Sequence, residues 1–212
     1  MIPSAMIILL SVAAYGLVHS LLASLWVKAQ ARRLFGPAAD RLYRLVYNSI
    51  AVVTFFPLLA LPVVLPGRTL YRLQSPWSWM ALGIQFLAFL TLVFGVLQTG
   101  AGSFLGLRQL AGPIETAAPR LVITGLYRFV RHPLYTAGLA FIWATPVMNT
   151  NLLAFYAGLT MYIVAGTLHE EYRLRREFGE AYREYQRSTP MLIPFRFGSL
   201  RRAIFWRHSR KT

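Results

Sequence analysis

WSWMALGIQFLAFLTLVFGVLQ, residues 77–98, contains no Asp, Glu, Lys or Arg. Wound as an α-helix it is about 33 Å long, enough to cross the ~30 Å hydrocarbon core of a bilayer. Trp77 and Trp79 stand at one end, where aromatic rings anchor a span to the membrane interface. Four more apolar runs read the same way. They are Ala5 to Val27, Tyr43 to Leu65 (kinked by Pro57 and Pro62), Pro133 to Pro146 with Tyr127 to Arg131 extending it upstream, and Leu152 to Leu168. The expected fold is all-α: a polytopic membrane helical bundle of five transmembrane helices with a cytoplasmic C-terminal helical segment. The last two spans share the short polar turn Met148-Asn149-Thr150-Asn151 and so form a helical hairpin.

Composition agrees. Hydrophobic residues make up 56% of the chain and charged residues 14%, against about 25% charged in an average soluble domain. Twenty-two Lys and Arg against seven Asp and Glu give a net charge of +15. On a soluble protein that excess would suggest nucleic acid. Here the basic residues flank apolar runs, so topology and anionic headgroups account for them, and no nucleic-acid partner is expected. The absence of Cys excludes disulfides, thiolate-metal sites and a Cys nucleophile, and no metal site is expected. MIPSAMIILL lacks a charged leading region and reads as the start of a first span, not a cleaved signal peptide.

Loop charges set the orientation. Lys28, Arg32, Arg33, Arg41 and Arg44 follow the first span, and Arg108, Arg120, Arg128 and Arg131 follow the third. The other basic residues follow Leu168, apart from Arg68 and Arg72 on the opposite side. The N-terminus is therefore expected outside and the C-terminus inside, in the inner (plasma) membrane if the cell is bacterial. The long Gly- and Pro-rich loop from Thr99 to Arg131 then faces the cytoplasm, and long loops are often functional. After Leu168, Tyr172, Phe178, Tyr182 and Tyr185 alternate with charges in a helical rhythm broken at Gly179. Residues 1–195 read as one membrane domain, its ligand-binding half at 100–195, and residues 196–212 as a basic tail lying on anionic lipid. Internal repeats are absent, which leaves a duplicated transporter without support.

Polar groups within spans are costly and so are functional candidates. Ser11, Tyr15 and His19 form one stripe at i, i+4, i+8, readable as interhelical hydrogen bonding or as a pocket wall. Tyr127, Arg131, His132 and Tyr135 cluster around Pro133 at a helix N-terminus, where free N–H groups favour an anionic ligand group. The bland alternative is snorkelling Arg and interfacial Tyr. Glu170 and Glu171 follow the last span directly, to hold a cationic group or to balance Arg173, Arg175 and Arg176.

In order and spacing, Gly125-Leu126-Tyr127, Arg131-His132-Pro133-Leu134-Tyr135, Glu170-Glu171, Phe178-Gly179-x-x-Tyr182-x-x-Tyr185 and Pro190-Met191-Leu192-Ile193-Pro194 resemble the C-terminal half of the membrane methyltransferases. That superfamily includes isoprenylcysteine carboxyl methyltransferase and the phospholipid methyltransferases. Gly106 to Gln109, Phe141 to Pro146, Pro190 to Pro194 and the His19-Ser20 pair are most similar to its methanethiol S-methyltransferase branch. The resemblance implies an S-adenosylmethionine pocket facing the cytoplasm and closed by the C-terminal segment. The matching cofactor positions are Gln109, Arg120, Leu121, Val122, Tyr127, Arg131, His132, Pro133, Leu134, Tyr135 and Glu170. The helix N-terminus would face the cofactor's carboxylate and Glu170 its ammonium group. Where prenylcysteine enzymes carry a carboxylate-binding Arg, four residues before that Glu, this chain has Gly166. A small neutral acceptor is then expected, with Tyr15, His19 and Gly166 as its pocket.

The expected reaction is methyl transfer to a small thiol such as methanethiol. The thiol must lose its proton, because the thiolate is the nucleophile. His19 and His132 are the candidate bases, with His169 a lesser one. Two rivals stand beside this reading: a lipophilic acceptor (a prenylcysteine carboxylate or a phospholipid amine), and a non-enzymatic transport or assembly protein. The expected partners are the small lipophilic thiol or lipid substrate and membrane lipids; the sequence does not fix an oligomeric state.

Overall fold

A computed structural model describes residues 3–98, 100, 102, 107 and 120–194 of the chain. Helix α1 (Ser4–Ala23) is followed by α2 (Leu25–Phe35), α3 (Pro37–Val64), a short strand β1 (Thr69–Arg72) and α4 (Trp77–Gln98). A 3-10 turn at Gly125–Arg128 precedes α5 (Pro133–Trp143), strand β2 (Val147–Asn149) and the long α6 (Thr150–Ser188). Four of these helices are long and apolar enough to cross a membrane: α1, the Arg41–Val64 part of α3, α4 and α6. Large apolar side chains such as Leu17, Val63 and Phe86 stay exposed on the bundle. A soluble protein would not tolerate so extensive an apolar exterior, so the solvent for this surface is lipid.

The first span ends sooner than the sequence suggests. Ser24 adopts an extended conformation, and its hydroxyl accepts the Val27 N–H, capping α2 as a separate helix. Lys28, Arg32 and Arg33 therefore lie on a short helix of their own. Gly36, at φ +61°, stops that helix, and Pro37 starts α3 at a position where its missing N–H costs nothing.

Helices α1, α3 and α6 make the core. Ile8, Val12, Leu58, Ala154 and Phe155 are buried together, with Phe55, Tyr156 and Leu159 packed around them. Small residues permit the close approach of α1 and α6. A Cβ on Gly16 would sit 2.8 Å from the Tyr162 ring, and one on Gly158 3.1 Å from Val12.

The fourth expected span differs most. Helix α5 has eleven residues, about 16 Å of rise and roughly half of what a bilayer needs. It packs along α4, with Leu134 over Gly95 and the Gln85 amide donating to the Phe141 carbonyl at 3.0 Å. Beyond Trp143 the chain is extended and pairs as β2 antiparallel to β1, with Thr69 opposite Asn149 and Arg72 opposite Val147. That pairing satisfies backbone groups that a helix would have satisfied internally. The buried Asn151 amide fastens the same corner by donating to Leu65 O at 2.8 Å. The fifth expected span is the first part of α6, which runs on past Leu168 as a helix and turns sharply at Gly179 (φ 57°, ψ −128°).

Candidate active site

The turn at Gly179 decides what the residues around it can reach. Along a straight helix, Tyr182 would be about 16 Å from Glu171. Instead its hydroxyl donates to Glu171 Oε1 at 2.7 Å, and the Gln186 amide donates to Oε2. The arm beyond Gly179 has folded back along its own helix. No residue with a Cβ adopts that φ and ψ without strain, which is why a glycine stands there.

Glu171 is the centre of a closed cluster. Arg131 forks onto it through Nε at 2.8 Å and Nη2 at 2.9 Å, and His132 Nε2 lies 2.7 Å from Oε1. The other arm of the guanidinium donates to the Gln186 and Thr189 carbonyls. A buried carboxylate is tolerable only when its charge is paired and its lone pairs are used, and here both conditions hold. The segment after α6 completes the clasp. Arg131 N–H donates to Pro190 O at 2.9 Å, His132 N–H to Met191 O at 3.2 Å, and the Thr136 hydroxyl to Leu192 O at 2.6 Å. Arg131, expected to meet a ligand, lines the cavity described below while its guanidinium is held in this clasp.

Glu170, next along the helix, is different. Its side chain is about one third exposed, accepts the Tyr135 hydroxyl at 3.0 Å, and lies 3.7 Å from His132 Nδ1. It lines a cavity of about 820 Å³. One wall comes from the approach to α5 and its first turn: Arg120, Leu121, Val122, Tyr127, Arg131, His132, Pro133, Leu134 and Tyr135. A second comes from α6 and its returning arm, with Glu170, Leu174, Phe178, Tyr182 and Tyr185. Leu92 and Val96 of α4 close one side; His19, Ala23, Lys28, Tyr43, Arg44, Tyr47 and Asn48, from α1, α2 and α3, close another. Burial, and then the Glu170 carboxylate, raise the Tyr127 phenol above its ordinary value, so it stays a neutral donor.

Of the expected cofactor positions, all but Gln109 line this cavity; Gln109 lies outside the described residues. His19 lines it as well. Tyr15 does not: it stacks on the His19 ring and reaches the Ala51 carbonyl at 3.4 Å. Gly166 is also absent from the walls; it faces open space on the exposed side of α6. The room expected there for a small acceptor is not part of the cavity. Tyr43, Tyr47 and Asn48 were missed, although their i, i+4, i+5 spacing at the start of a span was a usable signal.

The cavity fits S-adenosylmethionine in three respects. Its volume is in the range of small-molecule sites. Leu121, Val122, Leu174 and Phe178 give apolar wall for an adenosine group. The opening turn of α5, whose Leu134 and Tyr135 N–H groups have no intrahelical acceptor, stands beside the Glu170 carboxylate, a donor set and an acceptor matched to a zwitterion.

Comparison with known proteins bears on the same residues. The family model described as phospholipid methyltransferase matches residues 77–181. Methanethiol S-methyltransferase 1 of Bradyrhizobium diazoefficiens is 42% identical over 94 residues, 43% of this chain and 33% of its own length. The methanethiol S-methyltransferase of Pseudomonas sp. strain GM41 is 33% identical over 174 residues, covering 76% of this chain and 63% of its own. Protein-S-isoprenylcysteine O-methyltransferase B of Arabidopsis thaliana is 33% identical over 79 residues, 36% of this chain and 40% of its own. The chain spans about a third of the length of the first curated relatives it matches. No solved structure matches the chain.

Proposed function

From the likeness of residues 77–181 to the phospholipid methyltransferase family, we propose that this chain is a methyltransferase of that kind and transfers a methyl group from S-adenosylmethionine to a small thiol such as methanethiol, giving dimethyl sulfide. The observation that carries the reading is the single cavity joining the partly exposed Glu170 carboxylate to the opening turn of α5. When bound, S-adenosylmethionine supplies an electrophilic methyl group on a sulfonium. The chain's own work is to bind, to orient and to keep water out. Glu170, steadied by Tyr135, takes the ammonium group, and the first N–H groups of α5 take the carboxylate. Leu121, Val122, Leu174 and Phe178 hold the base and sugar away from water. The Arg131–Glu171 clasp keeps the returning arm of α6 over the cavity.

The thiol assignment rests on several relatives that carry the methanethiol S-methyltransferase name. The loop charges favour a cavity on the cytoplasmic side, where the cofactor is made. Two measurements test the proposal. Isothermal titration with S-adenosylhomocysteine should show one binding site; no detectable binding would sink the enzyme reading. Labelled cofactor offered with hydrogen sulfide, methanethiol, longer thiols, prenylcysteine and phosphatidylethanolamine should label the small thiols. Label in the lipid alone would transfer the assignment to a lipophilic acceptor.

A further inference from the structure

The wall contributed by α1 and α3 has no task in holding the cofactor, yet it carries a polar ring packed against three tyrosines. The His19 ring is stacked on Tyr15 at 5.6 Å and 19°, and meets the Tyr162 ring edge-on at 6.1 Å and 81°. Its Nε2 is hydrogen-bonded to the Tyr47 hydroxyl across to α3. Its Nδ1 is buried and has no partner among the described residues.

Packing alone does not call for this arrangement. One turn earlier in α3, Tyr43 already ties the same two helices by donating to the Leu22 carbonyl. A second tie through a histidine that leaves a buried nitrogen unpaired costs more than a tyrosine-to-carbonyl bond would. Intramembrane ionisable groups kept at such a cost mark functional paths.

We propose that Tyr47, with His19 behind it, takes the proton from the acceptor thiol; the inference rests on the thiol methyl-transfer reading above. Neither nitrogen of His19 is open to the cavity, one being bonded to Tyr47 and the other shut away. A proton that reaches the imidazole therefore passes through the Tyr47 oxygen, and Tyr47 is the group that touches substrate. His132, the rival base, has its Nε2 on the Glu171 carboxylate, so that nitrogen carries a proton and serves the clasp.

The step balances as follows. The S–H bond breaks and its proton goes to the Tyr47 oxygen, while the phenol's own proton goes to His19 Nε2. A sulfur lone pair forms the new C–S bond as the methyl's bond to the sulfonium breaks, and that electron pair stays on the cofactor sulfur. The neutral sulfide leaves, water enters, and the imidazolium returns its proton through Tyr47. Lys28 and Arg44 line the same cavity, and nearby cations favour a thiolate over a thiol.

The test compares the wild type with Tyr47→Phe and His19→Gln, each first checked for S-adenosylhomocysteine affinity. With ethanethiol near neutral pH the variants should lose about a hundredfold in kcat, the scale of general-base assistance. With trifluoroethanethiol, similar in size but far more acidic, most of that loss should vanish, as it should for ethanethiol at high pH. A second readout needs no turnover. In the complex with S-adenosylhomocysteine, the thiolate difference absorbance of added ethanethiol should appear at lower pH in the wild type than in either variant. The same loss for every thiol at every pH, or equal thiolate absorbance, would show that the pair only packs helices and would overturn the proposal. If a variant fails to bind S-adenosylhomocysteine, the wild type decides. A wild-type rate that merely follows the thiolate fraction in solution overturns the proposal, and one that exceeds it supports it. A wild type that methylates no thiol fails the parent reading instead, which the labelled panel detects separately.

Discussion

Glu170 and Glu171 are neighbours in sequence that an α-helix turns about 100° apart, and that angle gives them opposite tasks. Glu171→Ala strands Arg131 in a buried site without its counter-charge, a loss of about 3–5 kcal/mol. Thermal unfolding in detergent should show a clear fall in midpoint. Glu170→Gln should leave the midpoint unchanged while weakening S-adenosylhomocysteine by about tenfold to a hundredfold, the 1.5–3 kcal/mol of a hydrogen bond to a charged group. If the two variants exchanged these effects, the division of labour described for the site would be wrong. Both polar clusters, Arg131-His132 and Glu170-Glu171, were legible in the sequence because charge at the mouth of an apolar run needs a reason. The local pattern did not tell the two Glu residues apart; only the family resemblance singled out Glu170 as the one facing the pocket. The difference depends on Tyr182 and Gln186 returning to cover Glu171, a contact made by a reversal the local pattern does not encode.

At the scale of elements, Gly179 controls the reversal. Gly179→Ala forces a Cβ into a backbone conformation that costs of the order of 1–3 kcal/mol. The arm carrying Tyr182 and Tyr185 should loosen, and S-adenosylhomocysteine affinity should drop without any change in the residues that touch it. Unchanged affinity would mean that the arm is not a wall of the working site. The break at Gly179 was readable as an interruption of a helical rhythm. Helix α5 shows where reading failed. Its composition matches that of a span, but Pro146 holds Thr145 away from helical geometry, and the extended chain that follows finds its partner in β1, nearly eighty positions earlier. Apolar content reports burial in lipid or protein alike; it does not report a long-range strand pairing.

For the whole molecule, the contacts sort the chain into two ends. Ile8 and Val12 of α1 meet Leu58 of α3 and Phe155 of α6 at one end, next to the β1–β2 corner with Arg68 and Arg72. His19 meets Tyr47 and Tyr162 toward the other, the end that holds Lys28, Arg44, Arg131, Arg173 and the cavity. Basic side chains are thus gathered around the cavity end, and the positive-inside rule predicts that this end faces the cytoplasm. The chain has no cysteine, so single replacements report on topology without background. Thr69→Cys in β1 should react with a membrane-impermeant maleimide in intact cells. Glu180→Cys, on the exposed face of the returning arm, should react only after permeabilisation; its pairs with Arg183 and Arg187 are surface pairs whose loss costs little. The opposite labelling pattern would invert the protein and place the cavity on the side where no S-adenosylmethionine is made. A cofactor that carries charge on its carboxylate, ammonium and sulfonium groups does not cross a bilayer unaided. Orientation therefore bears on the proposed reaction as directly as any residue in the cavity.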